Sequence, residues 1–85
     1  MTTPRIKIYT SSTCPYCRRA IGILKEHGVA YEAVSVDGRD AVRDELNELI
    51  GRRDVPQVFV DGKHIGDDDH LAEWADDGRL DALIA

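Results

Sequence analysis

The chain has 85 residues, 42% of them apolar and 32% charged, with a net charge of −5. That length suits one domain, residues 1–85, with a modest core, and the composition is that of a folded globular protein rather than a disordered or fibrous one. The acidity argues against a general nucleic-acid binder. No apolar run reaches the roughly 20 residues of a membrane span, and no apolar leader of about 7–15 residues precedes the first strand, so a reducing cytoplasm is the expected location.

Charge is uneven along the chain. Residues 1–28 hold five Lys or Arg and one Glu, a balance of +4; the remainder holds six and fifteen, a balance of −9. Arg5 to Thr10 alternates Ile6 and Ile8 with Lys7 and Tyr9 and predicts a strand. Ser11-Ser12-Thr13 is a polar loop. A helix is expected from about Cys14, with Pro15 at its first position, where a missing N–H is harmless. Cys17, Ala20, Ile21 and Leu24 fall on one face of that helix, and Gly28 stands where a left-handed cap belongs.

Val29 to Val36 predicts a second strand, ended by Asp37-Gly38. Asp40 to Ile50 predicts a second amphipathic helix, with Val42, Leu46, Leu49 and Ile50 on its apolar face and Gly51 closing it. Gln57-Val58-Phe59-Val60, Asp61-Gly62 and Lys63-His64-Ile65 read as a β-hairpin, because Asp-Gly between apolar runs suits a turn with two positive φ angles. Asp67-Asp68-Asp69 offers caps for a third helix bearing Leu71, Trp74 and Ala75. Leu80, Leu83 and Ile84 suit a last helical turn. The order β-α-β-α-β-β-α, with a right-handed first crossover, implies an α/β fold: a four-stranded mixed sheet flanked by helices.

Cys14-Pro15-Tyr16-Cys17 therefore lies at a strand–loop–helix junction. The free N–H groups and positive dipole of a helix start favour a thiolate there, and Arg18, Arg19 and Lys7 add positive charge nearby. Cys14 precedes the first turn and can face solvent, whereas Cys17 is in register with the buried stripe. Residues three apart are neighbours on a helix, so the pair can close a disulfide with little backbone motion. Cys14 is the expected nucleophile and Cys17 the expected resolving thiol. A structural disulfide would constrain only a four-residue loop in a reducing compartment. A zinc site from Cys14, Cys17, His64 and His70 has unsuitable spacing, and Pro15 at a helix start is not the usual zinc turn.

Val55-Pro56 stands directly before an apolar strand, a position proline tolerates. An X–Pro bond is trans by default; a cis bond here would turn the N–H and C=O of Val55 toward Cys14, ready to pair with an extended peptide. Asp67-Asp68-Asp69 lacks the spaced ligands of a calcium loop and reads as a helix cap. His27 suits a helix C-terminus, His64 a hairpin surface, and Trp74 and Phe59 the core.

With these residues in place the chain resembles the glutaredoxins, specifically the small bacterial dithiol type. The resemblance rests on Tyr9-Thr10, Thr13-Cys14-Pro15-Tyr16-Cys17, Asp37-Gly38, Gly51-Arg52, Val55 through Asp61, and His64-Ile65-Gly66 followed by acids. It implies a thioredoxin-like fold, a cis Pro56 and glutathione as electron donor and co-substrate, with no bound cofactor or metal. By the same resemblance Tyr16 flanks the sulfur and the Val55 backbone, beside Pro56, pairs with the cysteinyl part of glutathione. The N–H of Asp68 and the carboxylate of Asp69 would hold the γ-glutamyl end, and Arg43 the glycyl carboxylate.

The implied activity is glutathione-dependent thiol–disulfide exchange on disulfide-bearing proteins by the dithiol route, and on glutathionylated proteins through Cys14 alone. The implied state is a monomer that engages neither nucleic acid nor membrane. Three positions depart from the family pattern: Ser11 where many relatives carry Lys, Asp54 where Thr usually precedes Val-Pro, and Asp67 where a second Gly usually follows Gly66. The added acids and missing ammonium predict weaker glutathione binding, unless Arg52 or Arg53 neutralises Asp54. Two rivals are an enzyme of the same chemistry fed by a flavoprotein reductase and an iron–sulfur carrier that shares a cluster between two chains. Pro15 and Cys17 argue against the carrier, because they favour disulfide closure.

Overall fold

The computed structural model describes residues 4–83. Its elements are β1 (Ile6–Thr10), α1 (Pro15–Glu26), β2 (Tyr31–Ser35), α2 (Asp40–Ile50), β3 (Gln57–Val60), β4 (Lys63–Gly66), α3 (Asp68–Asp76) and the short α4 (Arg79–Ala82). The order read from the sequence is reproduced, with α4 as the last helical turn; Ile84 lies outside the described residues. The strands form one sheet in the order β2-β1-β3-β4. β1 and β2 run parallel, and β3 is antiparallel to both β1 and β4. The hairpin turn has φ of 51° at Asp61 and 83° at Gly62, as the Asp-Gly pair required.

Both faces of the sheet are covered. Ile6, Ile8, Val58 and Val60 pack with Ala20, Leu24, Leu71 and Leu80, so α1, α3 and α4 share one face. Tyr9, Val36, Phe59, Val42 and Leu46 form the second cluster under α2. Each fully buried Leu or Ile contributes about 1.5–3 kcal/mol. This two-sided burial explains why β3 is apolar from Val58 to Val60 and buried at every residue, Gln57 included. Leu49 departs from its expected inward place on α2 and is 58% exposed. Val42 and Leu46 already point at the sheet, and Leu49 falls beside them, on the rim of a surface groove of about 470 Å³ that it lines with Lys7, Tyr9 and Phe59.

The topology also places the cysteines. β1 delivers its carboxyl end to the loop 11–14, and the antiparallel pairing of Tyr9 with Gln57 brings the start of β3 alongside it. Val55-Pro56 therefore sits next to Cys14, although 41 residues separate Cys14 from Val55 in sequence.

Candidate active site

Cys14 is the N-cap of α1, in extended conformation, with Pro15 opening the helix. Its Sγ accepts the N–H of Cys17 at 3.3 Å, taking up one of the donors that a helix start leaves free. The same sulfur lies 3.6 Å from the Val55 carbonyl, to which its S–H can donate. Cys14 is half-buried, whereas Cys17 is 1% exposed beneath it. The two lie 3.0 Å apart as free thiols. Burial pushes the Cys17 thiol up to about 12, helped by the neighbouring Cys14 sulfur and the Asp68 charge and opposed by the Ser11 backbone. At neutral pH Cys17 is thus a protonated thiol, and Cys14 is the sulfur a substrate can reach.

The Val55–Pro56 peptide is cis. Beside it opens a cleft of about 280 Å³ lined by Tyr16, Asp54, Val55, Pro56, Asp67, Asp68 and Asp69. Five residues singled out in the sequence, Tyr16, Val55, Pro56, Asp68 and Asp69, meet there, and Tyr16 is 62% exposed at its edge. Arg43 does not line this cleft; its Nη1 donates to the Arg53 carbonyl at 2.9 Å. The neutralisation expected of Asp54 falls to Arg52, whose Nε donates to it at 2.9 Å, while Arg53 pairs with Asp44. Arg52 holds the Asp54 carboxyl below its ordinary range, against the opposing effect of burial.

Three further residues organise the site, and the sequence reading gave none of them this role. Arg19 reaches from α1 to α3, its Nη1 donating at 2.7 Å to both Asp68 Oδ2 and Asp69 Oδ1. Gln57, fully buried, donates from Nε2 to the Asp54 carbonyl at 3.0 Å and accepts His64 Nε2 at 2.7 Å on its Oε1. Because the amide nitrogen is committed to a carbonyl, His64 must be the donor in the second bond. Gln57 thereby braces the segment that leads into Val55-Pro56. A lone amide opening an apolar run was the available signal for it.

Asp37 is the third. Its Oδ1 accepts the Ser11 hydroxyl at 2.7 Å and its Oδ2 the Ser12 N–H at 2.9 Å, so the end of β2 ties down the loop that leads to Cys14. The Ser12 and Ser11 hydroxyls and the Ser12 N–H hold this carboxyl down at about 2. With the folded value depressed below an unfolded value of about 3.9, the contact stabilises fully above that value and is lost as pH falls through the folded one. Asp37→Ala is therefore expected to lower the thermal midpoint at about pH 6, with the gap to wild type closing progressively below about pH 4 and mostly gone by about pH 2. A gap that stays constant down to pH 2 would assign the loss to something other than this carboxylate.

A family model described as Glutaredoxin matches residues 6–65. Glutaredoxin 3 of Escherichia coli K12 is 43% identical over 79 residues, which are 93% of this chain and 95% of that protein. The glutaredoxin of Pseudomonas aeruginosa is 40% identical over 84 residues, with 96% and 98% of the two chains covered. Among solved structures, the buckwheat glutaredoxin–glutathione complex superposes with a TM-score of 0.84 at 31% identity, over 94% of this chain and 76% of that one. Oxidised glutaredoxin 2 of Chlamydomonas reinhardtii gives 0.81 at 34% identity, over 95% and 79%.

Proposed function

The chain belongs to the glutaredoxin family of glutathione-dependent thiol–disulfide oxidoreductases, and on that premise we propose that Cys14 carries the chemistry and that Cys17 resolves it. Cys14 attacks a substrate disulfide, one half of the substrate leaves as a thiol, and the other stays bonded to Cys14. With a disulfide-bearing protein, Cys17 then displaces that half and closes the Cys14–Cys17 disulfide. With a glutathionylated protein, Cys14 takes the glutathione and a second glutathione removes it, so Cys17 is not needed. Two sulfurs hold the two electrons, so the reaction asks for no bound metal or organic cofactor.

The cleft beside Cys14 is the proposed seat for glutathione. The Val55 backbone, next to Pro56, pairs with its cysteinyl unit, and Tyr16 covers the sulfur. The Asp68 N–H and the Asp69 carboxylate take the γ-glutamyl end. Arg19 occupies only one oxygen of Asp69, whose side chain is 78% exposed, which leaves the other for an α-amino group. Arg43 has further N–H donors beyond the one bonded to Arg53, and these take the glycyl carboxylate. Because Arg52 cancels Asp54, the acid introduced before Val-Pro repels glutathione less than its charge alone suggests. We place the protein in the cytoplasm as a monomeric single-domain enzyme whose partners are glutathione and disulfide-bearing or glutathionylated proteins.

The observation that carries this reading is the half-buried Cys14, whose sulfur lies 3.6 Å from the carbonyl of Val55 on the wall of the cleft, with a protonated, buried Cys17 behind it. It is tested by turnover of a small glutathione mixed disulfide coupled to NADPH through glutathione reductase. Turnover that depends on glutathione is the expected result. No turnover there, but turnover with a thioredoxin-type flavoprotein reductase, would keep the thiol chemistry and replace the electron donor.

A further inference from the structure

Asp68 is the only buried charged side chain among the described residues, 5% exposed at the first position of α3. Nothing in the thiol exchange written above uses its carboxylate. A carboxylate removed from water is unfavourable without a cation and hydrogen bonds to replace the lost hydration. Arg19 supplies both, two residues beyond Cys17 on α1, and the same Nη1 holds Asp69. One guanidinium nitrogen thus ties the helix that carries both cysteines to the first turn of the helix that walls the cleft.

We propose that Arg19 is a positioning residue for the resolving step, holding the first turn of α3 against α1 and cancelling the Asp68 charge beside Cys17. The inference rests on the assignment of Cys17 as resolving thiol. In that step Cys17 loses its proton to solvent and its sulfur bonds to Cys14 Sγ. The bond from Cys14 to the substrate sulfur breaks, and the electron pair leaves on that sulfur, which is protonated in turn. The two cysteines end oxidised and the substrate reduced.

The step needs negative charge on the sulfur that burial and Asp68 both keep protonated. Asp68 is the smallest of the influences that raise this thiol, and its negative charge favours the thiol over the thiolate. A full pKa unit changes the thiolate population about tenfold, and the opposing loss of nucleophilicity, with a Brønsted slope of about 0.4–0.5, reduces this to roughly three- to fourfold in rate. Arg19→Leu leaves Asp68 uncancelled and slows the step, whereas Asp68→Asn removes that negative charge while Arg19 keeps Asp69 as its partner, and speeds it. A purely architectural clamp would be damaged by either change in the same direction.

The test mixes the reduced protein with an aromatic disulfide whose released thiol is coloured, in the absence of glutathione. The first phase of colour is attack by Cys14 and the second is resolution by Cys17. The ratio of second-phase to first-phase rate is expected to fall in Arg19→Leu and to rise in Asp68→Asn, in each case by up to about three- to fourfold. Should the leucine variant not fold, Asp68→Asn carries the test alone. A ratio unchanged in Asp68→Asn, or both variants moving it downward, overturns the proposal. Absence of the first phase in wild type would instead sink the assignment of Cys14 as nucleophile, and this inference with it.

Discussion

Replacing Cys14 with Ser is expected to remove turnover of every disulfide substrate, by about a thousandfold or more, the order of loss that follows removal of a nucleophile. Cys17→Ser is expected to divide the activities instead. Reduction of a glutathione mixed disulfide should stay within about threefold of wild type, because a second glutathione performs the resolution. Reduction of a protein disulfide by the dithiol route should fall by about a hundredfold, because the mixed disulfide at Cys14 then waits for an external thiol. The physical basis is the asymmetry of burial: the outer sulfur lies at the cleft, and the inner one is 1% exposed and held protonated. Stopped-time trapping and mass measurement of the Cys14 adduct, alongside both turnover assays, distinguishes the outcomes. Equal loss of both activities in Cys17→Ser would mean that Cys17 shapes the site rather than resolves the intermediate.

That asymmetry was legible in the sequence because it is local. Pro15 fixes where the helix starts, three residues separate the cysteines, and the stripe Cys17, Ala20, Leu24 fixes which sulfur is buried. Element boundaries were legible for the same reason, since Gly, Pro and Asp-Gly interrupt each periodic run. The bonds that join these pieces were not. Arg19 meets Asp68 across 49 residues and Ser11 meets Asp37 across 26, and no periodicity or spacing links such pairs. Arg19 read as charge near the thiol, and its orientation toward α3 exists only once α1 and α3 share a face of the sheet. Leu49 shows the opposite limit. Its helical spacing was correct, but Val42, Leu46 and the partly buried Ile50 already cover the available width of sheet.

The second large effect is expected at Gly66, where the hairpin hands over to the cleft. Gly66 ends β4 with φ of 129°, a backbone state that side chains rarely adopt. A Cβ added there would stand 2.3 Å from Nδ1 and 2.8 Å from Cβ of His70, so the conflict reaches the root of that side chain and not merely its tip. Nor is the ring free to swing aside without loss. Its Nδ1 lies 3.0 Å from Asp67 Oδ1, and Asp67 is the cap that accepts the N–H groups of Asp69 and His70. Gly66→Ala is therefore expected to destabilise the fold by about 2–6 kcal/mol, from backbone strain and overpacking of order 1–3 kcal/mol each. For a domain of this size that lowers the thermal midpoint by more than about 8 °C. In a His70→Ala background the clash with the ring is removed, but the 2.8 Å approach to Cβ of residue 70 and the backbone strain remain, so the same substitution should be milder yet still destabilising. Because the displaced turn carries Asp68 and Asp69, KM for glutathione should rise more than kcat falls in the variant that remains folded. A thermal midpoint within 2 °C of wild type would show that the junction absorbs a side chain, and that the first turn of α3 is held by Arg19 and Asp67 without need of a glycine before it.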